Sequence, residues 1–305
     1  MSFTPSYLKL YQDGILAERV KQAYRQLANC GLCPRLCHVD RQHDEQGFCH
    51  AGLSPEISSF NAHFGEEPAI SGSAGSGTIF FTHCNLRCVF CQNYPISHFG
   101  NGTTISVDEL TRIMLFLQSK KCHNVNLVTG TIYVPQIMAA LEKAIAQGFH
   151  LPLVYNCGGY ESLETLRLLD GIIDIYLPDA KYSDNAMAKK YSQAPHYAEI
   201  NQAALLEMYR QVGDLILDDE GIACRGLIIR HLVLPGNIAG SIPLLEFIAG
   251  KISNQTYLSI MSQYTPRHLA CGIPELNRKI TKEEYTVVLE KLKLLSLNNG
   301  WIQES

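Results

Sequence analysis

The chain has 305 residues, 46% hydrophobic and 18% charged, which suits one large α/β domain with a sizeable core or two smaller domains. Its 25 Lys and Arg against 29 Asp and Glu give a net charge of −4 without a basic run, which argues against binding of nucleic acid through its phosphates. No stretch approaches about 18 uninterrupted apolar residues, and the first residues lack the pattern of a signal peptide. We therefore expect a cytoplasmic protein without a membrane span.

The N-terminal region combines a helical pattern with a group of cysteines. Residues 15–28 place apolar side chains at helical spacing, and four thiols then follow with the spacing C-x2-C-x3-C-x11-C, at Cys30, Cys33, Cys37 and Cys49. The total of 11 cysteines is odd, and clustered cysteines without a secretion signal indicate metal rather than disulfides. Four thiolates suit zinc or an iron–sulfur cluster, and the spacing does not choose between these metals or exclude unligated thiols.

From residue 78 onward, short apolar runs alternate with helical patterns. The strands are predicted at 78–82, 124–129, 152–156, 172–177, 227–234 and 256–261. The helices are predicted at 107–120, 134–147, 161–170, 184–212, 241–250 and 281–297. Six β/α units of this kind build a parallel sheet with helices outside it. The pattern fits a partial barrel and also a doubly wound open sheet, so it leaves the closure open.

A second group of cysteines follows the first of these strands. Cys84, Cys88 and Cys91 are spaced C-x3-C-x2-C, with Phe90 directly before the last cysteine. Three thiolates on one loop can hold three irons of a [4Fe–4S] cluster and leave the fourth iron open to another ligand. The alternative is a zinc loop or thiols without a metal.

This motif resembles that of the radical S-adenosylmethionine (radical SAM) superfamily. The resemblance implies an α/β fold, a partial (β/α)6 barrel. It also implies that the open iron of a [4Fe–4S] cluster binds S-adenosylmethionine (SAM). Reductive cleavage of SAM would then give a 5′-deoxyadenosyl radical that abstracts hydrogen. We predict no catalytic acid or base, because the cofactor carries the chemistry.

Polar residues stand where the later strands end, which is where parallel α/β folds place their ligands. Asn156 could hydrogen-bond the cofactor or serve only as a turn residue, and Asp179 and Lys181 could bind a zwitterion or form a solvated surface pair. Arg230, inside an apolar strand, needs an anionic partner. The predicted cofactor-binding residues are Phe90, Thr129, Gly130, Thr131, Asn156, Asp179, Lys181, Arg230 and Gln263.

Over residues 76–266 the chain is similar to the pyruvate formate-lyase activating enzyme branch of this superfamily, through Leu177-x-Asp179-x-Lys181 and Arg230. In that branch Asp179 would lie near SAM or a bound cation, Lys181 and Arg230 near the SAM carboxylate, and Phe90 near the adenine. The four N-terminal cysteines depart from that branch. They resemble a subgroup of activase-like proteins that begins with Cys-x-x-Cys-Pro-Arg, and this departure puts the substrate in doubt rather than the chemistry.

We predict three parts: an N-terminal helix and metal-binding segment at 1–64, a radical SAM partial barrel at 65–277, and a C-terminal helix packed on the barrel at 278–305. The predicted function is a radical SAM oxidoreductase that activates a glycyl radical enzyme, with flavodoxin or ferredoxin as electron donor. The alternatives are modification of a small molecule or peptide, and a non-catalytic iron–sulfur or zinc protein on the same fold.

Overall fold

The computed structural model describes residues 3–303, in which ten strands form one sheet. The strands are β1 (Glu56–His63), β2 (Ser76–Phe81), β3 (Thr103–Thr104), β4 (Val125–Val128), β5 (Leu153–Cys157), β6 (Ile175–Pro178), β7 (Ile216–Leu217), β8 (Ala223–Leu232), β9 (Tyr257–Met261) and β10 (Gly300–Ile302). The α-helices are α1 (Tyr7–Gln12), α2 (Ile15–Arg25), α3 (Pro68–Ser71), α4 (Tyr94–Ser97), α5 (Val107–Ser119), α6 (Val134–Ile145), α7 (Leu163–Leu168), α8 (Asn185–Ser192), α9 (Tyr197–Val212), α10 (Ser241–Phe247) and α11 (Lys282–Leu294).

The six predicted strands form the parallel centre of the sheet. They run β2-β4-β5-β6-β8-β9 in space, which is their order along the chain, and each pair is parallel. A doubly wound sheet reverses its strand order at a switch point, whereas this sheet does not. The outer edges of β2 and β9 pair with β1 and β10 instead of with each other. The fold is therefore an open, partial barrel, as predicted.

The strands β1, β3, β7 and β10 were not predicted. They are short or carry exposed polar residues, because they lie outside the buried parallel centre of the sheet. Strand β1 runs antiparallel to β2, so the sheet extends into the segment assigned to the N-terminal part. The helix predicted at 184–212 is two helices, α8 and α9, because Gln193 and His196 adopt positive φ between them.

The inner face of the barrel is apolar at one end and polar at the other. Val154, Leu177 and Ile228 pack with Ile70 of α3, which fills the end where the strands begin. Residues two positions further along a strand point to the same face. The next inward positions are therefore Asn156, Asp179 and Arg230, and the polar end of the barrel stays open.

The N-terminal residues wrap around the outside of the barrel. Helix α2 packs against α6 and α7, and the hydroxyl of Tyr7 donates a hydrogen bond to the carbonyl oxygen of Leu151 at 2.7 Å. The hydroxyl of Thr165 donates to the carbonyl oxygen of Leu32 at 2.8 Å, which ties the N-terminal cysteine segment to α7. Among the helices of residues 3–303, none is long and apolar enough to cross a membrane.

Candidate cofactor and metal site

Cys84, Cys88 and Cys91 lie at the open end of the barrel, on the loop that follows β2. They line one side of a cavity of about 260 Å³. Asn156, Asp179, Lys181 and Arg230 line the same cavity. The structure thus brings together residues that are far apart in the sequence, such as Cys84 and Arg230.

Each thiol of this loop has a hydrogen-bonding neighbour. The backbone N–H of Leu86 donates to Cys84 Sγ at 3.4 Å, and the hydroxyl of Ser192 donates to Cys88 Sγ at 3.0 Å. Cys91 Sγ and Ser97 Oγ are 3.1 Å apart. Hydrogen bonds to cluster sulfurs stabilise the thiolate and tune the metal centre. The surroundings of the three thiols therefore fit a metal cluster.

Burial opposes ionisation of these thiols in the chain itself. It raises the pKa of Cys84 to about 12 and also raises that of Cys88. A bound metal must therefore displace the thiol protons. Within residues 3–303 no three His, Cys, Asp or Glu side chains are grouped to hold a single metal ion. Three thiolates on one loop can hold three irons of a [4Fe–4S] cluster and leave the fourth iron open.

A charged group forms the opposite wall. The Nε of Arg230 donates to Asp179 Oδ1 at 2.9 Å, its Nη2 donates to Asn156 Oδ1 at 2.7 Å, and Lys181 Nζ pairs with Asp179 Oδ2. Burial alone would raise the pKa of Asp179, but Arg230 and Lys181 lower it below its ordinary value. Two cations and one carboxylate leave one positive charge, which suits a ligand that carries a carboxylate.

Helix α9 fixes the loops that carry these residues. The Tyr197 hydroxyl donates to the carbonyl oxygen of Gly158 at 2.8 Å, and the Asn201 amide donates to those of Gly159 and Asp179 at 2.9 and 3.0 Å. Gly159 has a φ of +71°, and a Cβ there would lie 2.1 Å from the Asp179 carbonyl oxygen, so a side chain would not fit. The adjacent Gly158 and Gly159 are a weak signal of this support in the sequence.

Phe90 and Gln263 also line the cavity, the first as a buried residue and the second as an exposed one. Phe90 is buried, with its ring centroid 6.4 Å from that of Tyr182 and 6.1 Å from that of Tyr264. Gln263 is exposed at the mouth. Tyr264, the next residue, is buried, and its hydroxyl donates to the carbonyl oxygen of Leu276.

The segment after β4 differs from expectation. Thr129 lines the cavity and adopts a left-handed φ of 63°, whereas Gly130 and Thr131 do not line it. They turn away from the cavity because a 3-10 turn begins at Gly130. Gly130 packs tightly there, since an added Cβ would lie 2.9 Å from the Ile137 side chain. The hydroxyl of Thr131 donates to Glu161 Oε1 at 2.9 Å. The structure thus places Gly130 and Thr131 outside the lining of the cavity, and their contact with the cofactor stays a prediction.

Glu161 was not identified from the sequence. Its carboxylate accepts hydrogen bonds from the hydroxyls of Thr131 and Tyr155, and only 2% of the residue is exposed. Burial raises its pKa to about 7, although these hydrogen bonds act in the opposite direction. A glutamate in a loop gives no signal in the sequence that it will be buried.

The four N-terminal cysteines meet around a second cavity. Cys30, Cys33 and Cys49 are buried and Cys37 is half-buried. All four line this cavity together with Arg35 and Arg41. The predicted grouping of these thiols is therefore present in the structure.

Comparison with known proteins places the chain in a family. Residues 78–213 match the sequence model of the radical SAM superfamily. The protein MJ0674 of Methanocaldococcus jannaschii, described as uncharacterized, is 31% identical over 299 residues, which cover 95% of this chain and 82% of that protein. The chain belongs to the radical SAM superfamily. Membership implies a [4Fe–4S] cluster and SAM as cofactors, and reductive cleavage of SAM as the chemistry they supply.

Two solved structures resemble this one over about three quarters of the chain. The FeFe-hydrogenase maturase HydG from Carboxydothermus hydrogenoformans has a TM-score of 0.48 at 11% identity, over 73% of this chain and 52% of that chain. TYW1 with a lysine-pyruvate adduct bound has a TM-score of 0.46 at 11% identity, over 75% of this chain and 76% of that chain.

Proposed function

We propose that this radical SAM enzyme uses its cofactors to abstract a hydrogen atom from a backbone glycine of a partner enzyme, leaving a glycyl radical there. Cys84, Cys88 and Cys91 hold the [4Fe–4S] cluster in this proposal. The observation that carries it is the cavity between these thiols and the charged group of Asp179, Lys181 and Arg230.

The charged group binds the methionyl end of SAM in this proposal. Lys181 and Arg230 receive its carboxylate, because their two positive charges exceed the single charge of Asp179. Asp179 in turn attracts the amino group, and its lowered pKa keeps it ionised at neutral pH. Phe90 and Thr129 also line the cavity, one with an apolar and the other with a polar side chain. In this proposal they contact the nucleoside part of SAM.

The size of the cavity supports a large partner rather than a second small ligand. Its volume of about 260 Å³ lies just below the usual range for pockets that hold one small ligand, roughly 300–1,000 Å³. A substrate must then approach from the open side. Glycine is the residue whose Cα comes closest to a neighbouring group, because it has no side chain.

The rim of the cavity also suits a protein. Phe99 and Leu269 are 63% and 58% exposed, and the ring of Phe99 packs edge-on against Tyr94 and His268. His98 lines the mouth, and burial together with His268 lowers its pKa to about 4, so it is neutral at pH 7. Exposed aromatic side chains beside a neutral histidine are typical of the centre of a protein interface. A flavodoxin or ferredoxin is the proposed electron donor.

The first test of the chemistry is formation of 5′-deoxyadenosine by anaerobically reconstituted, reduced protein. We expect product from the wild type and none from Cys88→Ala, which removes one of the three cluster ligands. If a spectroscopically intact cluster gives no product with SAM, the enzyme function is refuted and a non-catalytic metal protein remains.

The test of the partner uses SAM turnover in the presence of candidate glycyl radical enzymes. We expect a partner to increase turnover and to acquire a glycyl radical signal in electron paramagnetic resonance spectra. Phe99→Asp should reduce this increase without changing basal turnover. Phe64→Asp is the matched control, because Phe64 is also 63% exposed, whereas Phe99 directly follows His98 of the cavity lining. Equal stimulation of both variants would contradict the proposed docking rim, and stimulation by a small molecule alone would contradict the partner.

A further inference from the structure

The cysteine loop of the radical SAM site is held at Asn85, directly after Cys84. Asn85 is only 1% exposed. Its side-chain amide donates to the carbonyl oxygen of Tyr160 at 2.6 Å, and its own carbonyl oxygen accepts a hydrogen bond from the Nε of Arg35 at 2.9 Å. The loop after β5 therefore holds this residue through its side chain, and the N-terminal segment holds it through its backbone.

A second arginine, Arg87, joins the same loop to the N-terminal segment. It directly precedes Cys88 in the sequence. Its Nη1 donates to the carbonyl oxygen of Cys84 at 2.9 Å, and its Nη2 donates to that of Phe48, also at 2.9 Å. Because a guanidinium group is planar and rigid, these two hydrogen bonds fix the position of Phe48 relative to the start of the cysteine loop.

The ring of Phe48 lies beside both guanidinium groups. The central carbon of Arg35 is 3.6 Å from its ring centroid and that of Arg87 is 5.0 Å from it, which are distances of cation–π contacts. Phe48 also directly precedes Cys49, and its backbone N–H donates to Cys37 Sγ at 3.4 Å. One side chain of the N-terminal cysteine segment therefore contacts both arginines that hold the radical SAM loop, and the two cysteine groups adjoin.

The two arginines bring positive charge to the cysteine loop without a carboxylate that neutralises it. Neither Arg35 nor Arg87 takes part in an ion pair among residues 3–303. An arginine stays protonated at any physiological pH, so both side chains remain charged. Positive charge beside an iron–sulfur cluster favours its reduced state, because the net charge of the surroundings helps to set the reduction potential.

From these contacts we infer that Arg35 and Phe48 are positioning residues of the radical SAM site, which hold the cysteine loop and keep the charges of Arg35 and Arg87 beside its cluster. The N-terminal segment is thus a working part of this site. The inference rests on the cluster that the proposed function assigns to the radical SAM loop. It does not depend on the substrate or on what the N-terminal cysteines bind.

The test is the reduction potential of this cluster in anaerobically reconstituted protein at matched iron content. The titration follows the electron paramagnetic resonance signal that changes when SAM is added, because that change identifies the radical SAM cluster. Arg35→Met removes one positive charge, so the potential should become more negative. Arg35→Lys keeps the charge and should return the potential towards the wild-type value.

The matched control is Arg225→Met, which should have the wild-type potential. Arg225 also donates to a backbone carbonyl oxygen, that of Gln211 at 2.7 Å. It lies at the start of β8, at the end of the barrel opposite the cysteine loop. Phe48→Leu decides the inference if Arg35→Met does not fold. It removes the ring that holds the two guanidinium groups but keeps the backbone groups of this residue, and the potential should again become more negative.

A folded Arg35→Met or Phe48→Leu protein with the wild-type potential would refute the inference, since a merely structural role would lower the unfolding temperature and leave the potential unchanged. So would an Arg35→Lys potential as negative as that of Arg35→Met, or the same shift in Arg225→Met. A wild type without the cluster would overturn the proposed function and this inference together. Failure of the glycyl radical proposal alone would leave these potentials unchanged.

Discussion

Glu161 offers a quantitative test of how this fold buries charge. Its carboxylate lies between the Thr131 and Tyr155 hydroxyls, directly after β5, and burial raises its pKa from 4.5 to about 7. The folded state therefore binds this proton more tightly than the unfolded state. Between these two pKa values the unfolded chain loses the proton first, so the stability of the fold decreases as the pH rises.

The two pKa values set the size of the effect. The pKa of Glu161 is about 7 in the folded state and 4.5 in the unfolded state. Raising the pH from 5.5 to 8 therefore lowers the free energy of unfolding by about 2 kcal/mol through this one group. For a chain of this size such a change corresponds to about 4 °C in the unfolding temperature. Glu161→Gln keeps the side-chain shape and removes the titration, so it should remove this part of the pH dependence.

The assay is thermal unfolding of wild type and variant from pH 5.5 to pH 8, under anaerobic conditions and at matched iron content. The difference between the two proteins cancels the other titrating groups, including Asp174, whose pKa burial also raises to about 7. The control is Glu164→Gln, an exposed glutamate on α7. We expect the wild type to lose about 4 °C relative to Glu161→Gln as the pH rises, and Glu164→Gln to follow the wild type. Parallel pH profiles for the wild type and Glu161→Gln would refute the reasoning.

Two further predictions concern the cavity walls. Ser192→Ala removes the hydroxyl that donates to Cys88 Sγ, so the reduction potential of the [4Fe–4S] cluster should become more negative in a redox titration. The exposed Ser119→Ala serves as control, and an unchanged or more positive potential in Ser192→Ala would contradict the role of the hydrogen bond. Asp179→Asn leaves Lys181 and Arg230 without their counter-charge. Loss of one partner of a buried ion pair lowers the free energy of unfolding by about 3 kcal/mol or more. The unfolding temperature should therefore fall by about 6 °C. The control is Asp170→Asn, which removes the more exposed partner of Arg210 and should lower the free energy of unfolding by under about 1 kcal/mol. Equal losses of stability in the two variants would contradict the argument that burial makes the Asp179 pairs important.

Several features could be predicted from the sequence because they depend on neighbours along the chain. The spacing of Cys84, Cys88 and Cys91 places three thiols on one loop whatever the rest of the chain does. The apolar runs that became β2, β4, β5, β6, β8 and β9 are buried on both faces, which leaves a continuous signal. Strand β1 lacks this signal, because most of its residues are exposed.

The contacts that define the cavity required the tertiary structure. Asn156, Asp179 and Arg230 meet because β5, β6 and β8 are neighbours in register, and their inward side chains repeat every second residue. The same geometry turns Gly130 and Thr131 away from the cavity, although they also follow a strand. Ser192 reaches Cys88 only because α8 ends beside the cysteine loop, 104 positions away in the sequence.

The sequence by itself thus determined the alternation of strands and helices, the grouping of the cysteines and the family of the chemistry, since each depends on residue type and local spacing. The tertiary structure alone decided which charged residues line the cavity and which residues support them. It also decided that the two cysteine groups adjoin, where Arg35 donates a hydrogen bond to the carbonyl oxygen of Asn85. The physical reason is that a hydrogen bond or an ion pair acts over a few ångströms in space, and only the packed fold converts distant sequence positions into neighbours at that range.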